Sequence, residues 1–237
     1  MWIWILIIII IIIFIFLYVY KNSHKYELMD NISTPKQELS YADINDPYEM
    51  PYILENVAST DHCNQIMAYC VDKLQDSQVI GGKMPQIRNS KQCWIPKNNP
   101  LAKPLYDIIT KIYNLNIENA EDLQVVRYQP GQYYNEHHDS CCENSEKCEQ
   151  FTKNGGQRIL TVLIYLNNDF DDGETYFRVL DKKIKADPGN AIVFHPLATN
   201  TNKCHPYALH AGLPVTRGEK WIANLWFRER PFNVVSK

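Results

Sequence analysis

The sequence has little net charge and no strongly basic segment. Its 24 lysine and arginine residues nearly balance 27 aspartate and glutamate residues, which gives a formal net charge of −3. Proteins that bind nucleic acid through phosphate contacts need a basic surface, so this composition predicts no nucleic-acid partner. The sequence also lacks an internal repeat, and it has no low-complexity tract beyond residues 1–20, which is evidence against a solenoid or a repeat array.

The first twenty residues are an apolar run without a charged side chain. A run of about 20 apolar residues is what a helix needs to cross a hydrocarbon core of about 30 Å. Aromatic residues lie near both of its ends, as in the aromatic belt of a membrane helix: Trp2, Trp4, Tyr18 and Tyr20. Because no basic segment precedes the run and no small-residue cleavage site follows it, we expect residues 1–20 to be an uncleaved transmembrane signal anchor.

Two features of the sequence give opposite predictions for the side of the membrane. Lys21, His24 and Lys25 follow the apolar run, and such basic flanks favour a domain on the cytoplasmic face. The cysteine cluster of residues 141–148 and the glycosylation sequon at Asn31 favour the lumen of the endoplasmic reticulum. The isoleucine- and asparagine-rich composition is also compatible with an AT-rich viral genome, and therefore with a viral membrane. A single-pass membrane protein is predicted, with its orientation left open.

Residues 21–50 are polar and aperiodic, which predicts a tether between the membrane and a domain at residues 51–237. The domain begins with a helical pattern that Ser59 or Thr60 can cap. Apolar residues recur there at helical spacing: Cys63, Ile66, Met67, Cys70, Val71 and Leu74. Cys63 and Cys70 are therefore expected to pack in the core. A second amphipathic helix is predicted from Leu105, Ile108, Ile109 and Ile112.

After about residue 120 the apolar runs are short, rich in β-branched and aromatic residues, and separated by turn residues, as is typical of strands. Six candidate strands follow in order: LQVVRY, QYYNEHH, RILTVLIYLN, TYFRVL, NAIVFH and EKWIANLWFRE. Turns are predicted at Pro130-Gly131, Asp172-Gly173 and Pro188-Gly189. The predicted fold is mainly β with flanking α, a double-stranded β-helix (jelly roll) buttressed by N-terminal helices.

The segment YQPGQYYNEHHD, residues 128–139, contains a candidate metal-binding pair. Side chains alternate along a strand, so His137 and Asp139 are predicted to share one face while His138 points away. An imidazole and a carboxylate suit a divalent ion, and a second histidine would complete the facial triad that leaves positions open on Fe(II). The pattern alone leaves three candidates for that histidine: His195, His205 and His210.

Five segments resemble, in order and spacing, the prolyl 4-hydroxylase family of Fe(II)/2-oxoglutarate dioxygenases. They are YQPGQYYNEHHD, GGQRILTVLIYLN, DGETYF, PGNAIVFH and LHAGLPVTRGEKWIANLWF. The resemblance covers roughly residues 50–230 and matches the catalytic domain without the assembly regions of animal collagen hydroxylase subunits. It implies Fe(2+), the co-substrates 2-oxoglutarate and O₂, and L-ascorbate to rescue oxidised iron.

The resemblance also implies roles for single residues. Three iron ligands are implied: His137, Asp139 and His210. Lys220 is implied to pair with the distal carboxylate of 2-oxoglutarate, and the hydroxyls of Tyr128 and Thr175 to hydrogen-bond it. Such a carboxylate needs a countercharge in a narrow barrel interior, because an unpaired buried charge is very costly. His195 and His205 are left with structural or surface roles.

Three residues match family positions that line the peptide groove: Tyr134, Arg158 and Trp226. Aromatic walls suit an extended polyproline II segment, although core packing is the alternative for Trp226. Arg228 lies where related enzymes often carry histidine, which leaves the preferred peptide open. The loop at residues 140–156 is predicted to be a lid whose cysteines, Cys141, Cys142 and Cys148, stabilise it; a solvated insertion is the alternative.

The predicted function is 4-hydroxylation of peptidyl proline, coupled to oxidative decarboxylation of 2-oxoglutarate to succinate and CO₂. The predicted partners are a proline-containing protein or peptide substrate and the membrane. One alternative is a 2-oxoglutarate oxygenase with another substrate, such as peptidyl lysine, a lipid or a nucleic acid. Nucleobase demethylases usually bind the co-substrate with arginine, so Lys220, ten residues after His210, is evidence against that branch. The other alternative is an inactive module that binds proline-rich peptides.

Overall fold

The computed structural model of the 237-residue chain describes residues 41–79 and 82–232. The predicted signal anchor at residues 1–20 and the first part of the predicted tether, residues 21–40, lie outside the described residues. Among the residues that are described, none of the helices combines the length and the apolar composition needed to cross a bilayer.

Residues 41–50, which the sequence pattern assigned to the tether, pack against the domain. Ala42 is buried, and its backbone N–H donates to the carbonyl of Cys204 at 2.9 Å. The ring of Tyr48 stacks on that of His205, with the centroids 4.2 Å apart. The packed part of the chain therefore starts before residue 51, the predicted start of the domain. The contacts come from Ala42 and Tyr48, two side chains in a segment that is otherwise mostly polar.

Three α-helices lie within the described residues: α1 (Thr60–Cys70), α2 (Lys103–Tyr113) and α3 (Glu146–Lys153). Ser59 caps α1, as predicted, and its side chain accepts a hydrogen bond from the backbone N–H of His62. The buried face of α1 carries Cys63, Ile66 and Cys70. Val71 lies just after the helix, in a 3-10 turn, and is exposed, so the helix ends at Cys70 and does not extend to Leu74, the last of the predicted apolar positions.

The buried face of α2 differs from the predicted one. Leu105 and Ile109 are buried as expected, but Ile108 and Ile112 are 37% and 51% exposed. Tyr106 takes the core position instead, and its hydroxyl donates to the carbonyl of Glu121 at 2.8 Å. Because Tyr106 packs in the core with its hydroxyl hydrogen-bonded, the buried face of α2 is centred away from Ile108 and Ile112.

Thirteen strands run through the described residues. Their bounds are β1 (Tyr52–Leu54), β2 (Gln75–Asp76), β3 (Lys91–Ile95), β4 (Leu123–Tyr128), β5 (Tyr134–His137), β6 (Arg158–Tyr165), β7 (Phe170–Asp172), β8 (Thr175–Phe177), β9 (Lys182–Ile184), β10 (Ala191–Phe194), β11 (His210–Gly212), β12 (Val215–Gly218) and β13 (Lys220–Arg228). Each of the six predicted strands is present. Strands β5, β8 and β10, which follow the three predicted turns, are shorter than their apolar runs suggest.

The strands form two main sheets and one short ribbon. The larger sheet has seven strands in the order β1-β10-β6-β13-β4-β3-β2, and the smaller has four in the order β5-β11-β8-β9. Strands β12 and β7 pair separately. Two facing sheets with helices on the outer side of the larger one make the jelly roll with helical buttress that the sequence predicts.

Two apolar clusters hold these layers together. One joins the helices to the outer face of the large sheet, for example Ile66 and Leu105 to Leu225. The other lies between the sheets and includes Leu163 of β6 and Phe177 of β8. Strand β13 serves both layers because its side chains alternate. Its inner face lines a cavity between the sheets with Lys220, Ile222, Asn224, Trp226 and Arg228.

Three disulfides and one free thiol account for all seven cysteines. Cys63 is free and buried, as expected for core packing. Cys70 is also buried but is bonded to Cys93 of β3, a pairing that the helical pattern did not reveal. In the predicted lid, Cys141 pairs with Cys148, whereas Cys142 pairs outside the loop, with Cys204.

Candidate active site

The predicted ligand and co-substrate residues line one cavity of about 340 Å³ between the two sheets. His137 is the last residue of β5, and His210 is the first residue of β11. These strands pair in the register that sets His137 opposite His210, with ring centroids 4.2 Å apart. The sheet pairing thus brings together two histidines that are far apart in the sequence.

Asp139 completes the cluster from a position just beyond β5. The prediction that one strand carries both His137 and Asp139 was wrong, since β5 ends at His137 and Asp139 lies in a bend. The side chains nevertheless converge: His137 Nε2 lies 3.7 Å from Asp139 Oδ1. His137, Asp139 and His210 each offer a ligand atom, and these atoms all lie within 4.8 Å of one another.

Hydrogen bonds to backbone carbonyls set the tautomers of both histidines. His137 Nδ1 lies 2.8 Å from the carbonyl oxygen of Asn135, and His210 Nδ1 lies 3.0 Å from that of Ala208. A carbonyl oxygen can only accept, so each Nδ1 carries the proton and each Nε2 keeps its lone pair. Both imidazoles are therefore oriented as metal ligands usually are.

Two donors hold the carboxylate of Asp139. Thr161 Oγ1 donates to Oδ2 at 2.8 Å, and the indole Nε1 of Trp226 donates to the same oxygen at 3.1 Å. The other oxygen, Oδ1, is the one that lies toward His137. Burial would raise the pKa of this carboxyl, but the neighbouring His210, His137 and Arg158 and the Trp226 hydrogen bond lower the pKa to about 2. Asp139 is thus an anion at any physiological pH.

The protonation states suit a metal ion. Burial holds the pKa of His137 well below its usual range, and neighbouring His210 acts in the same direction. A neutral imidazole is the form that binds metal. Two imidazole nitrogens and one carboxylate oxygen, gathered on one side of a cavity, fit the facial triad that Fe(II) accepts with further positions open.

The remaining histidines lie outside this cluster. His138 points away from it, as predicted, and lies beside Cys142 and Cys204, whose sulfurs are tied up in their disulfide. His205 is buried, and its ring contacts the carbonyl of Asp46 at 3.2 Å. His195 is half-buried and pairs with Glu49 at 3.0 Å. The structure therefore gives these histidines contacts of a structural kind.

Lys220 lines the cavity and is only 1% exposed. Its Nζ donates to the carbonyl of Gly173 at 2.6 Å, and no carboxylate of the described residues lies within ion-pair distance of it. The ring centroids of Tyr128 and Tyr165 are 5.4 and 5.2 Å from Nζ. Thr175 Oγ1 lies 3.0 Å from the Tyr165 hydroxyl. A buried cation in a cavity that Tyr128 and Thr175 also line is suited to a carboxylate.

Burial lowers the pKa of Lys220 to about 7, because the loss of hydration outweighs the opposing attraction of the Glu174 carboxylate. An anionic ligand would restore the charged form. The same cavity is thus lined by the metal triad and by a buried ammonium group, which together suit a ligand with a carboxylate at either extremity.

The predicted groove residues also line the cavity: Tyr134, Arg158 and Trp226. Tyr134 stacks on His137, with ring centroids 3.5 Å apart. The guanidinium of Arg158 lies 3.6 Å above the Trp226 ring and forms an ion pair with Glu121 at 2.6 Å. Trp226 is buried and also lines the cavity. It therefore packs in the core, as one alternative predicted, and lines the site, as the other predicted.

Sequence analysis missed several residues that complete the site. Thr161 and Tyr165 both face inward from β6. They are four residues apart in an otherwise apolar strand, and this spacing could have indicated that both side chains lie on the same face. Glu121, which binds Arg158, precedes β4 in a polar loop and carried no local signal. Arg88 is buried above the Tyr134 ring, at 4.6 Å, and comes from a segment without clear periodicity.

The predicted lid is a folded segment. It contains α3, which Ser145 caps by accepting a hydrogen bond from the Cys148 N–H. Its cysteines are buried in disulfides, and Phe151 lines the cavity. The segment is therefore folded onto the domain through its cysteines and Phe151, with an exposed outer side, and its closure over the site stays a prediction.

Comparison with known proteins relates the fold and the site to one family. Residues 123–228 match the family model described as the 2OG-Fe(II) oxygenase superfamily. A protein of Acanthamoeba polyphaga mimivirus named "Putative prolyl 4-hydroxylase" is 60% identical over 198 residues, which cover 84% of this chain and 82% of that protein. Prolyl 4-hydroxylase 1 of Arabidopsis thaliana is 28% identical over 199 residues, 75% of this chain and 68% of its own length.

Solved structures show the same relationship. The viral collagen prolyl hydroxylase of Paramecium Bursaria Chlorella virus-1, in its complex with 2OG, is 32% identical and aligns with a TM-score of 0.61. The alignment covers 76% of this chain and 96% of that one. A prolyl-4-hydroxylase of Pseudomonas putida, at 20% identity and a TM-score of 0.54, shares the fold over 76% of this chain and 92% of its own.

Proposed function

Since the chain belongs to the prolyl 4-hydroxylase family of 2-oxoglutarate- and Fe(II)-dependent oxygenases, we propose that it hydroxylates proline residues of a protein or peptide at C4. One oxygen atom of O₂ would enter the new hydroxyl group and the other would enter succinate, while C1 of 2-oxoglutarate would leave as CO₂. The observation that supports this most is the cavity that joins the His137, Asp139 and His210 cluster to Lys220.

His137, Asp139 and His210 are proposed as the iron ligands. Fe(II), when bound, would supply the activation of O₂, which is the oxidant of the reaction. The chain's own contribution is position: the carbonyls of Asn135 and Ala208 fix the two imidazoles. Hydrogen bonds to one carboxylate oxygen of Asp139 leave the other for the metal. The proposed cofactor and co-substrates are those of the family, Fe(2+), 2-oxoglutarate and O₂, with ascorbate typical of it.

Lys220 is proposed to bind the C5 carboxylate of 2-oxoglutarate, with the hydroxyls of Tyr128 and Thr175 as further donors. The buried ammonium group has a backbone carbonyl as its hydrogen-bond partner, so a carboxylate would be its first countercharge. A charge-assisted hydrogen bond in a buried site is stronger than one in water. In this proposal the reactive end of the keto acid would lie toward the triad.

Tyr134, Arg158 and Trp226 are proposed to line the peptide groove beside the metal. Their rings and the guanidinium line the same cavity as the triad, where the target proline would have to reach the iron. The aromatic faces suit the flat pyrrolidine rings of a polyproline II segment.

We also propose that residues 1–20 anchor the chain as a single-pass membrane protein. The apolar run supports this, and the three disulfides favour a domain in an oxidising compartment over one in the cytoplasm. Alkaline carbonate extraction of membranes from expressing cells tests the anchor: the full chain should stay in the pellet, and a chain without residues 1–20 should not. Protease protection of sealed vesicles then reports the side.

The oxygenase reaction is tested by succinate release from the metal-free protein after addition of Fe(II), 2-oxoglutarate and O₂. We expect proline-rich peptides to stimulate release and His137→Ala to abolish it, while His195→Ala, which removes a histidine outside the triad, should keep it. Release by His137→Ala at the rate of the native protein would contradict the ligand assignment. Release that no peptide stimulates would leave an oxygenase with another class of substrate.

A further inference from the structure

A series of aromatic rings and guanidinium groups in mutual contact includes five side chains that line the cavity. We call it the groove ladder; its members are Trp94, Trp226, Arg158, Phe151, Arg228 and Phe232. The ring centroids of Trp94 and Trp226 are 6.3 Å apart. The Arg158 guanidinium lies 3.6 Å from the centroid of Trp226 and 5.3 Å from that of Phe151. The Arg228 guanidinium lies 4.2 Å from Phe151 and 4.6 Å from Phe232.

Glu121 fixes both guanidinium groups of the groove ladder. Its Oε1 accepts from Arg158 Nε at 2.6 Å and from Arg228 Nε at 2.8 Å, and its Oε2 accepts from Arg158 Nη2 at 2.8 Å. All three charged side chains are largely buried, with 6% of Glu121 and 3% of Arg228 exposed. Buried charge-assisted hydrogen bonds of this geometry hold planar groups in one orientation.

Arg228 also holds the segment that carries Phe151. Its Nη1 donates to the carbonyls of Phe151 and Gly156 at 3.0 and 2.6 Å, around the C-terminal end of α3. A cation there complements both the unpaired carbonyls and the negative end of the helix dipole. The N-terminal side of α3 is tied by the Cys141–Cys148 disulfide. The helix is therefore fixed at both ends, and Phe151 has a fixed place in the wall.

The groove ladder connects this wall to the metal site. Trp226 stacks under Arg158 and donates to the carboxylate of Asp139. Phe151, Arg158 and Trp94 line the same cavity as the triad, and Trp94 is 42% exposed at the open end. Aromatic rings that face an open groove on the way to a reacting centre suit the neighbours of the target residue more than the target itself.

We propose, on the basis of the proposed function, that Phe151 and Trp94 bind the residues that flank the target proline, and that Arg228 and Glu121 are positioning residues that set this specificity by fixing Phe151. The proposed function already calls for a polyproline II segment, and these two rings would contact the residues that flank its target proline. Such a segment presents successive pyrrolidine rings to aromatic faces at little entropic cost. A single proline between glycines offers neither the rings nor the stiffness.

Two peptides of equal length and charge test this, one with prolines on both sides of the target and one with glycines. Arg228→Gln and Phe151→Ala are compared with the native protein and with Arg217→Gln. Arg217 is the matched control, since it also pairs with a carboxylate, that of Asp171 at 2.6 Å, but on the exposed β7–β12 ribbon. We expect Arg228→Gln and Phe151→Ala to raise KM for the proline-flanked peptide about tenfold, with kcat changed much less.

The same two variants should reduce the preference between the peptides, while Arg217→Gln should behave as the native protein. Binding of a fluorescent proline-flanked peptide to the Zn(II)-loaded protein, followed by anisotropy, gives a second readout that needs no turnover. There we expect the same loss of affinity. If Arg228→Gln does not fold by circular dichroism, Phe151→Ala, which shortens a single side chain of the wall, decides the question.

Unchanged KM and unchanged peptide affinity in Phe151→Ala would overturn the inference, as would an equal preference of the native protein for the two peptides. A fall in kcat at constant KM would likewise overturn it, because it would assign the groove ladder to the metal site alone. If the native protein hydroxylated neither peptide, the proposed function would fail first, and the anisotropy measurement would still decide whether the groove ladder binds proline-rich chains.

Discussion

The indole N–H of Trp226 donates a hydrogen bond to Oδ2 of Asp139 at 3.1 Å. Trp226 comes from β13 of the large sheet, whereas Asp139 follows β5 of the small one. The bond therefore crosses the space between the sheets and orients a candidate metal ligand from the opposite wall. Second-layer contacts of this kind usually matter almost as much to a metal site as the ligands do.

Replacing Trp226 by phenylalanine should weaken metal binding by about 10- to 100-fold, since it removes the indole donor but keeps an aromatic ring. Titration of the metal-free protein with Co(II), followed by visible absorption, measures this. Trp221→Phe is the matched control, because its Nε1 donates at 3.3 Å to Glu219, away from the triad. Equal Co(II) affinity of the two variants would contradict the positioning role of Trp226.

Replacing Lys220 by methionine should abolish binding of 2-oxoglutarate and leave the protein as stable as before, or more so. The free ammonium group is buried with a carbonyl as its partner, and removal of an uncompensated buried charge is often neutral or stabilising. Thermal unfolding with and without the keto acid measures both effects. Lys183→Met, on the exposed edge strand β9, should retain the ligand-induced rise in Tm. A similar rise in Lys220→Met would place the carboxylate elsewhere.

Binding of 2-oxoglutarate should take up a proton above neutral pH. Burial lowers the pKa of Lys220 to about 7, whereas the carboxylate favours the charged amine. The affinity should therefore fall up to tenfold for each pH unit above about 7. Calorimetry at pH 8.5 in two buffers of different ionisation enthalpy measures the uptake. A binding enthalpy that does not depend on the buffer would contradict this assignment.

Without 2-oxoglutarate, the lowered pKa of Lys220 should make the free energy of unfolding increase with pH. The unfolded lysine keeps its ordinary pKa of 10.5 and binds more protons than the folded one. Because stability rises with pH wherever the unfolded state binds more protons, this contribution should improve between about pH 7 and 10.5. Chemical denaturation of the native protein and of Lys220→Met across that range isolates it. Parallel pH profiles of the two proteins would contradict the lowered pKa.

The Cys142–Cys204 disulfide should support the metal site as well as the fold. It ties the segment just after Asp139 to the segment just before His210, across 62 residues. Loss of a crosslink over such a loop costs about 4 kcal/mol in the chain-entropy model, and the 23-residue Cys70–Cys93 crosslink should cost about 3 kcal/mol.

Double serine variants of each pair separate these effects. Both should unfold at lower denaturant concentration, but only Cys142→Ser with Cys204→Ser should also weaken Co(II) binding. If the Cys70 and Cys93 variant weakened Co(II) binding equally, the effect would belong to general stability rather than to the two ligand segments.

Much of the fold was predictable because the composition of single strands and the caps of helices indicate it directly. Strands such as β6 and β13 are strongly β-branched and aromatic, and the cap at Ser59 has a defined chemistry. The resemblance to a known family then selected His210 among three histidines and singled out Lys220. Both of these residues line the cavity.

Long-range pairings account for what the sequence did not predict. Nothing near Cys142 indicates that its partner is Cys204, and nothing near Glu121 indicates two arginines that arrive from β6 and β13. Asp139 reaches the triad through a bend rather than along β5. The alternation of side chains along a strand cannot predict this, because it applies only while the strand continues. Residues 41–50 pack through only a few side chains, too few to mark a boundary by composition.

The central claim is most directly tested by the fate of oxygen-18 gas. The full chain is incubated with Fe(II), 2-oxoglutarate, ascorbate, a proline-rich peptide and labelled O₂, and the peptide is then hydrolysed for amino-acid analysis by mass spectrometry. The account predicts 4-hydroxyproline that carries one labelled oxygen, succinate that carries the other in equal amount, and neither product with His137→Ala. Labelled succinate without hydroxyproline, or hydroxyproline that does not depend on His137, would contradict it.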